Sequence, residues 1–238
     1  MPTVNKHRGR HENKIFLKKQ KIYSANKTQK QPHFVKFNCL FLRFLAAEWR
    51  IFMIGFAMCG SFCTHSDAAE ALRKLLAKGY EVQPIMSECA YRTDTRFHLA
   101  EDFRCEIEVL TGRKIIHTVE DAEPLGPAAP LDALVIAPCT GNTLAKLANG
   151  ITDTAVTMAA KAHLRCDRPL LIALATNDAM SQNLGNIGRL ICRKSVYFVP
   201  MRQDSPKKKP HSLVADFELL DAAFEAMKDG HQLRPLFL

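Results

Sequence analysis

The chain has 238 residues, of which 47% are hydrophobic and 24% are charged, and these values are ordinary for a soluble globular protein with one sizeable core. The formal net charge is +9, but twelve of the 33 basic residues and only two of the 24 acidic residues lie in residues 1–52. The rest of the chain is therefore close to neutral, which argues against a nucleic-acid partner for it. No apolar run approaches the roughly 20 residues that cross a bilayer, so no membrane partner is expected.

The first 52 residues differ in composition from everything that follows. Residues 1–33 are polar and rich in lysine, a composition typical of disorder, and residues 34–52 are apolar with interspersed bases. Three interpretations stay open for this extension: a start assigned too far upstream of Met53, a genuine basic tail, and a targeting or membrane-surface segment. The folded domain is predicted to span residues 53–238.

The eight cysteines do not form a CxxC pair with the spacing of zinc or redox sites, so no metal site is predicted. Several of them lie in apolar runs, where a free cysteine behaves as a small hydrophobic residue. A chain of this length folds without disulfides. We therefore expect reduced thiols and a cytoplasmic location.

From Met53 onward, apolar strands alternate with amphipathic helices. In chain order, the pattern predicts strands at 53–58, 81–86, 113–119, 131–137, 169–175 and 196–200, with Pro138 ending the fourth. It predicts helices at 65–78, 95–110, 142–149, 153–165, 178–193 and 213–228.

This alternation predicts an α/β fold, a three-layer doubly wound parallel sheet of the flavodoxin-like or Rossmann-like kind. The fourth strand is a near-continuous apolar run, as a parallel sheet covered on both faces requires. In such sheets a ligand binds at the carboxyl ends of the strands, where the strand order reverses. The rule directs attention to four loops, at 59–65, 87–94, 138–143 and 176–183.

The first two of these loops contain candidate phosphate contacts. Gly60 permits a ligand to approach the backbone closely, and Ser61 and Thr64 place hydroxyls beside a helix N-terminus, which suits an anion. Ser87 directly follows the second predicted strand. The first loop is neither a GxGxxG nor a Walker pattern, which disfavours a dinucleotide or a nucleoside triphosphate. A simple N-cap or turn role is the alternative for each hydroxyl.

The other two loops place polar side chains at strand ends in the same manner. Thr140 and Gly141 allow a tight turn after the fourth predicted strand, and Asn142 and Thr143 then begin a helix. The Asn142 amide offers both a donor and an acceptor, which suits the edge of a flavin ring or a carboxylate. The fourth loop, residues 175–180, repeats the order of strand end, polar turn and helix start.

These loops together resemble the homo-oligomeric flavin-containing Cys decarboxylase superfamily. APCTGNT at 137–143 and the KLANGITD that ends at 153 resemble its Pro-Ala-Ser-Ala-Asn-Thr motif, whose Asn and Thr fall on Asn142 and Thr143. Residues 175–177 are similar to its Ala-Met-Asn segment, and residues 60–64 fall on its flavin phosphate loop. The resemblance implies bound FMN and a homo-oligomeric assembly.

Within the superfamily, the chain from residue 54 to its end resembles the B subunits of dipicolinate synthase. Seven segments in chain order carry this likeness: GSFCTH at 60–65, TDTRF at 93–97, EPLGPAAPLD at 123–132, APCTGNTLAKLANGITD at 137–153, AAKAHLR at 159–165, ATNDA at 175–179 and YFVPMRQDSPKKKPHSLVA at 197–215. The catalytic His of the decarboxylases falls on Pro124, and residues 197–215 do not resemble their Cys-containing substrate loop. The machinery for cysteinyl decarboxylation therefore looks absent.

This resemblance implies an oxidoreductase component, active in sporulation, that forms pyridine-2,6-dicarboxylate from a dihydrodipicolinate-type intermediate. The A subunit of dipicolinate synthase would be its partner and would carry NAD(P), since nothing in this chain resembles a nicotinamide fingerprint. Two alternatives stay open: an FMN-dependent decarboxylase or prenyltransferase, and a non-catalytic flavin-fold scaffold for the A subunit.

The implied site divides into three sets of residues. Asn142 and His65 are the candidate catalytic residues, the latter because imidazole changes charge near neutral pH. The candidate FMN contacts are Gly60, Ser61, Phe62, Thr64, Ser87, Thr140, Gly141, Asn142, Thr143, Ala175, Thr176 and Asn177. The candidate cations for a dicarboxylate substrate are His65, Arg92, Arg96 and Lys161, for each of which a solvated surface charge is the alternative.

Overall fold

The computed structural model describes residues 52–238, and the predictions for residues 1–51 lie outside this part of the chain. Its strands are β1 (Met53–Met58), β2 (Glu81–Met86), β3 (Ala133–Cys139), β4 (Leu170–Thr176), β5 (Val196–Phe198), β6 (Met201–Arg202) and β7 (Leu213–Ala215). Its α-helices are α1 (His65–Ala77), α2 (Glu88–Arg92), α3 (Ala100–Thr111), α4 (Val119–Ala122), α5 (Gly141–Asn149), α6 (Ala155–Leu164), α7 (Leu184–Ile191) and α8 (Leu220–Lys228). Short 3-10 turns lie at Phe62–Thr64, Glu123–Leu125 and Phe217–Leu219.

The strands form one sheet whose parallel part has the order β2-β1-β3-β4-β5. This is the strand order of flavodoxin-like folds, and it confirms the predicted doubly wound α/β class. The direction in which successive strands are added reverses between β1 and β3. The carboxyl ends of these two strands therefore flank the position where such sheets bind their ligands.

On the side away from β3, strand β4 divides its hydrogen bonds between two neighbours. Its first half pairs in parallel with β5, and its last two residues, Ala175 and Thr176, pair antiparallel with β7. Strand β7 in turn pairs antiparallel with β6. The antiparallel edge is not predicted by the sequence pattern, which assigns residues 213–228 entirely to a helix.

The sheet is covered by apolar side chains on both faces, as the near-continuous hydrophobicity of its strands predicts. Side chains along β3 alternate: Ala133, Val135 and Ala137 belong to one hydrophobic cluster, and Leu134 and Ile136 belong to the other. All seven residues of β3 are buried. This central strand therefore separates two cores within one domain.

Several element boundaries differ from the predictions. Helix α3 begins at Ala100 rather than at residue 95, because the Asp94 carboxylate accepts a hydrogen bond from the Ala100 amide at 2.8 Å. Phe97 and Leu99, which the helical pattern places on the buried stripe, are consequently exposed. The predicted strand at 113–119 is reduced to one isolated bridge between Ile116 and Ile85.

Other differences come from local side-chain hydrogen bonds and from proline. β3 continues through Pro138 to Cys139, with a register shift after Ile136 where the proline has no amide to donate. Residues 177–183 form turns, so α7 begins only at Leu184. The short helices α2 and α4 are additional to the predicted ones, and Ser87 and Thr118 cap them. No helix within residues 52–238 combines the length and apolar character that a membrane crossing needs.

Candidate functional site

A cleft of about 580 Å³ lies at the carboxyl ends of β1, β2 and β3. It is at the strand-order reversal, where the sheet rule predicts a ligand site. Five of the residues proposed from the sequence as cofactor contacts line it: Gly60, Ser87, Thr140, Asn142 and Thr143. The other lining residues are Glu88, Cys89, Arg92, Thr93, Lys146 and Thr154.

The loop after β1 gives the cleft its closest backbone surface. A Cβ on Gly60 would lie 3.0 Å from the Cys89 Sγ, so glycine lets this loop pack directly against α2. Ser61 precedes the 3-10 turn, and its side chain makes no capping hydrogen bond to that turn. Thr64 instead donates its hydroxyl hydrogen to the Ser61 carbonyl at 2.9 Å. The Ser61 hydroxyl is thus the less committed of the two. Ser61, Phe62, Thr64 and Gly141 are not among the residues that line the cleft, so their assignment as cofactor contacts stays a prediction.

Ser87 closes the end of β2 and begins α2. Its hydroxyl oxygen accepts a hydrogen bond from the Ala90 amide at 3.3 Å, and its amide donates to the Met58 carbonyl at 2.9 Å. The N-cap interpretation of this residue is therefore correct. Capping uses only the oxygen as an acceptor, and the hydroxyl hydrogen stays available on the side of the cleft.

The start of α5 is organised by two threonines. The Thr140 hydroxyl accepts from the Thr143 amide at 3.2 Å and donates to the Thr143 Oγ1 at 3.1 Å. Thr143 passes its own hydroxyl hydrogen to the Cys59 Sγ at 3.3 Å. Asn142 stands between these two threonines, is exposed, and makes no side-chain hydrogen bond within residues 52–238. Its amide is therefore the uncommitted polar group on this wall.

Cys59 is a buried thiol directly behind this wall. Burial raises its pKa to about 11, and the hydrogen bond from Thr143 opposes that rise. The group is thus a neutral thiol at physiological pH and an acceptor for Thr143. It anchors α5 to the end of β1.

The loop after β4 packs behind the start of α5. A Cβ on Gly141 would lie 2.5 Å from the Thr176 Oγ1, 2.6 Å from the Asn183 Nδ2 and 2.7 Å from the Asp178 Oδ1. The Thr176 hydroxyl donates to Asp178 at 2.5 Å, and the Asn183 amide donates to the same carboxylate at 2.9 Å. Glycine at position 141 is therefore what allows this polar cluster to reach the turn.

The residues proposed from this fourth loop have different surroundings. Ala175 is buried in β4, and Thr176 supports Gly141 from behind. Asn177 is exposed in the turn that follows. Since these three residues are not among those that line the cleft, the structure gives no support to their assignment as direct cofactor contacts.

The structure does not place His65, predicted as an acid or base and as a cation for substrate, among the residues that line the cleft. The side chain is only 1% exposed; its Nε2 lies 2.7 Å from the Cys59 carbonyl and its Nδ1 lies 2.9 Å from the His98 Nε2. Burial lowers its pKa to about 4. The ring packs against Phe62, His98 and Phe103, with centroids 4.7 Å apart for Phe103. A neutral imidazole with both nitrogens engaged holds the end of β1, and its His98 partner, 33 residues away, has no signal in the local sequence.

Of the cations considered for a dicarboxylate, the structure brings Arg92 to the cleft. Arg96 lies over the exposed ring of Phe97, 4.9 Å from its centroid, and Lys161 lines a separate groove beside Thr157 and Arg165. Lys146, which was not among the cations predicted from the sequence, also lines the cleft. Its Nζ lies 2.9 Å from the Asp153 carboxylate. Its position four residues after Asn142, on the same helix face, was the signal that could have found it.

Comparisons with known proteins agree with this architecture. Residues 46–219 match the sequence profile of the Flavoprotein family. The dipicolinate synthase B subunit of Bacillus subtilis (strain 168) is 43% identical over 185 residues, which covers 78% of this chain and 92% of the relative.

Two solved structures extend the comparison. The crystal structure of the dipicolinate synthase B subunit from Bacillus halodurans superposes with a TM-score of 0.72 at 40% identity and covers 78% of this chain and 95% of that one. The FMN-dependent cysteine decarboxylase SpaF gives a TM-score of 0.54 at 25% identity over 76% of this chain and 97% of that one. The chain therefore belongs to the Flavoprotein family, in the group of the dipicolinate synthase B subunits.

Proposed function

We propose that this chain binds FMN in the cleft and acts with a second, nicotinamide-binding protein in the oxidation that forms pyridine-2,6-dicarboxylate. The observation that carries the proposal is the cleft itself, a polar pocket at the β1/β3 reversal that is lined by Gly60, Ser87, Thr140, Asn142 and Thr143. Relatives that align over most of the chain carry the name of the B subunit of dipicolinate synthase.

The donors around the cleft fit the phosphate of a flavin nucleotide. Gly60 and Ser87 line the cleft, Ser61 follows Gly60 in the chain, and the Ser87 hydroxyl lies beside the first residues of α2. Amides at the start of a helix lack intrahelical partners and bind anions well. A structural relative with 25% identity is an FMN-dependent enzyme, which supports this choice of cofactor.

The heterocycle would be held by the α5 wall. The uncommitted Asn142 amide can donate to and accept from the polar edge of a flat ring, while Thr140 and Thr143 hold the turn that presents it. When bound, FMN supplies the capacity to accept and return two electrons. This chain's residues then have three tasks, which are to bind the phosphate, to orient the ring and to keep Asn142 at a fixed position.

A second protein is needed for the complete reaction. The relatives are named as B subunits, and this chain lacks a GxGxxG fingerprint for a nicotinamide cofactor. We therefore assign NAD(P) binding to the A subunit of the synthase. The seven cysteines within residues 52–238 are free thiols, which supports a reducing, cytoplasmic compartment.

A decarboxylase function is the second candidate, because the cysteine decarboxylase SpaF shares the fold. Against it stands Pro124, which occupies the position expected for the catalytic His of those enzymes and lies in a 3-10 turn. Proline has no group that can transfer a proton. The B-subunit function is therefore preferred.

Coexpression with the A subunit tests the proposal. Dipicolinate formation is measured with both proteins present and with each one omitted, and the purified chain is inspected for the visible absorbance of bound flavin. We expect product only from the pair, and we expect this chain to be yellow. Product from the pair with a colourless chain that does not bind added FMN would instead establish the scaffold alternative.

A further inference from the structure

We propose that Arg92 and Lys146 form a two-cation clamp that binds the two carboxylates of the substrate and selects dicarboxylates over monocarboxylates. This inference rests on the proposed function, because it concerns the substrate of the same cleft. Lys146, which the sequence did not reveal, thereby gains a role in substrate specificity. Of the cations predicted from the sequence, Arg92 alone keeps this role.

The two cations belong to different walls of the cleft. Arg92 is the last residue of α2, which runs from the end of β2, and Lys146 lies in α5, which runs from the end of β3. Both side chains line the cleft together with Asn142. Because Asn142 and Lys146 are four residues apart, they share one face of α5. A ligand that contacts Asn142 therefore lies on the same face of α5 as Lys146.

Each of the two cations of the cleft has an acidic neighbour in the chain. Among the described residues that line the cleft, Arg92 and Lys146 are basic and Glu88 is acidic. Glu88 lies 3.3 Å from Arg92 as an i,i+4 pair, with side chains 70% and 67% exposed. Lys146 pairs with Asp153, whose side chain is 57% exposed.

Neither of these internal pairs prevents a ligand from binding. Exposed ion pairs contribute little to stability, so a ligand carboxylate can take the place of Glu88 or Asp153 at a small cost. The Arg92 guanidinium also has several donors, and a planar carboxylate can bind two of them at once. One ligand carboxylate would thus bind the Arg92 guanidinium on α2, and the other would bind the Lys146 ammonium on α5.

The clamp accounts for groups that the flavin does not require. The phosphate contacts proposed within the cleft are the backbone at Gly60 and the hydroxyl of Ser87, and neither is a cation. A flat ring with two carboxylates still needs two separate cations, because opposite charge is what stabilises a partly desolvated carboxylate. Arg92 and Lys146 supply that number, one on each wall.

The test is a calorimetric titration of the full-length, FMN-saturated chain with two ligands, pyridine-2,6-dicarboxylate and pyridine-2-carboxylate. Loss of one charge-assisted contact weakens binding by about 10- to 100-fold. We therefore expect the native chain to prefer the dicarboxylate by about that factor. In Arg92→Gln and in Lys146→Met, this preference should fall to a few-fold, because one carboxylate then has no cation.

Matched controls separate the clamp from general effects of charge. Arg193→Gln and Lys161→Met remove the same charges from a groove outside the cleft and should keep the preference. Arg92→Lys should restore part of it. Equal weakening of both ligands in the cleft variants would indicate a merely structural role and would overturn the proposal, as would a native chain that binds neither ligand or does not prefer the dicarboxylate.

Flavin fluorescence in the same samples distinguishes this inference from the proposed function. A chain that retains FMN but lacks the dicarboxylate preference refutes the clamp alone. A chain that does not retain FMN refutes the flavin assignment, and the same two ligands are then titrated into the flavin-free protein. The clamp predicts the same preference there, because it requires only the two side chains.

Discussion

The Nδ1 of His65 lies 2.9 Å from the Nε2 of His98, while the His65 Nε2 donates to the Cys59 carbonyl. The carbonyl can only accept, so the neutral ring must carry its hydrogen on Nε2, and this leaves Nδ1 as the acceptor. A second buried histidine, His163, donates from Nε2 to the Pro169 carbonyl at 2.9 Å, and its Nδ1 is buried without a partner among the described residues. Both sites are built for a neutral imidazole.

The first prediction concerns the pH dependence of stability. Burial lowers the pKa of both His65 and His163 from 6.5 to about 4, so below pH 6.5 the unfolded chain binds more protons than the folded one. The free energy of unfolding should be highest above about pH 6.5 and should fall progressively toward pH 4, by roughly 3 kcal/mol for each histidine at most. Urea denaturation at pH 7, 6, 5 and 4 measures this, and His65→Gln should remove roughly half of the pH dependence. A flat profile over this range would contradict the assignment.

The second prediction concerns the packing of Gly141. Gly141→Ala places a methyl group within 2.7 Å of Thr176, Asp178 and Asn183, so the loop after β4 must shift. We expect a loss of about 1–3 kcal/mol in the free energy of unfolding and weaker FMN binding. The control is Gly188→Ala in α7, where a Cβ has no neighbour within 4 Å. That change should leave stability unaltered or raise it by up to about 1 kcal/mol.

The third prediction separates two asparagines that follow strands. Asn142 lines the cleft, whereas Asn177 is exposed in the turn after β4 and is not among the lining residues. Asn142→Ala should reduce FMN affinity by about 10-fold, since the polar edge of the ring loses a hydrogen-bond partner. Asn177→Ala should change it little. Quenching of flavin fluorescence measures both, and equal effects would show that the cleft has been assigned to the wrong loop.

The fourth prediction uses the thiols as reporters of the cleft. Cys89 and Cys105 are both exposed, but only Cys89 is among the residues that line the cleft. Bound FMN should slow alkylation of Cys89 by iodoacetamide and leave the rate at Cys105 unchanged. Cys59 should react slowly in both states, because it is buried and its pKa is raised to about 11. Peptide mass spectrometry follows each site, and protection of Cys105 instead would place the flavin elsewhere.

Much of the fold follows from the sequence because its strands are long apolar runs. β3 and β4 are buried on both faces, so their composition alone distinguishes them from the amphipathic helices. The antiparallel edge formed by β6 and β7 does not follow in this way. Strands of two and three residues are too short to establish a period, and they exist because the end of β4 offers them unpaired backbone groups.

The site could be predicted in part for a related reason. Gly60, Ser87 and Asn142 follow strands directly, so the topology alone brings them to one edge of the sheet. The environment of His65 depends on His98, and the orientation of Thr176 depends on Asp178, which Asn183 also contacts. These tertiary contacts determine whether a polar side chain faces a ligand or supports its neighbour. The local sequence pattern does not reveal them.

The division of β4 between two partners has a consequence for how the carboxyl-terminal part of the chain influences the cleft. Val214 aligns with Ala175 and Leu213 with Thr176 across the antiparallel ladder, and Thr176 lies against Gly141, the first residue of the helix that carries Asn142. A continuous series of contacts therefore joins β7, the end of β4 and the first turn of α5. Substitutions near residue 213 are therefore expected to shift the start of α5 through Thr176, although they lie outside the cleft.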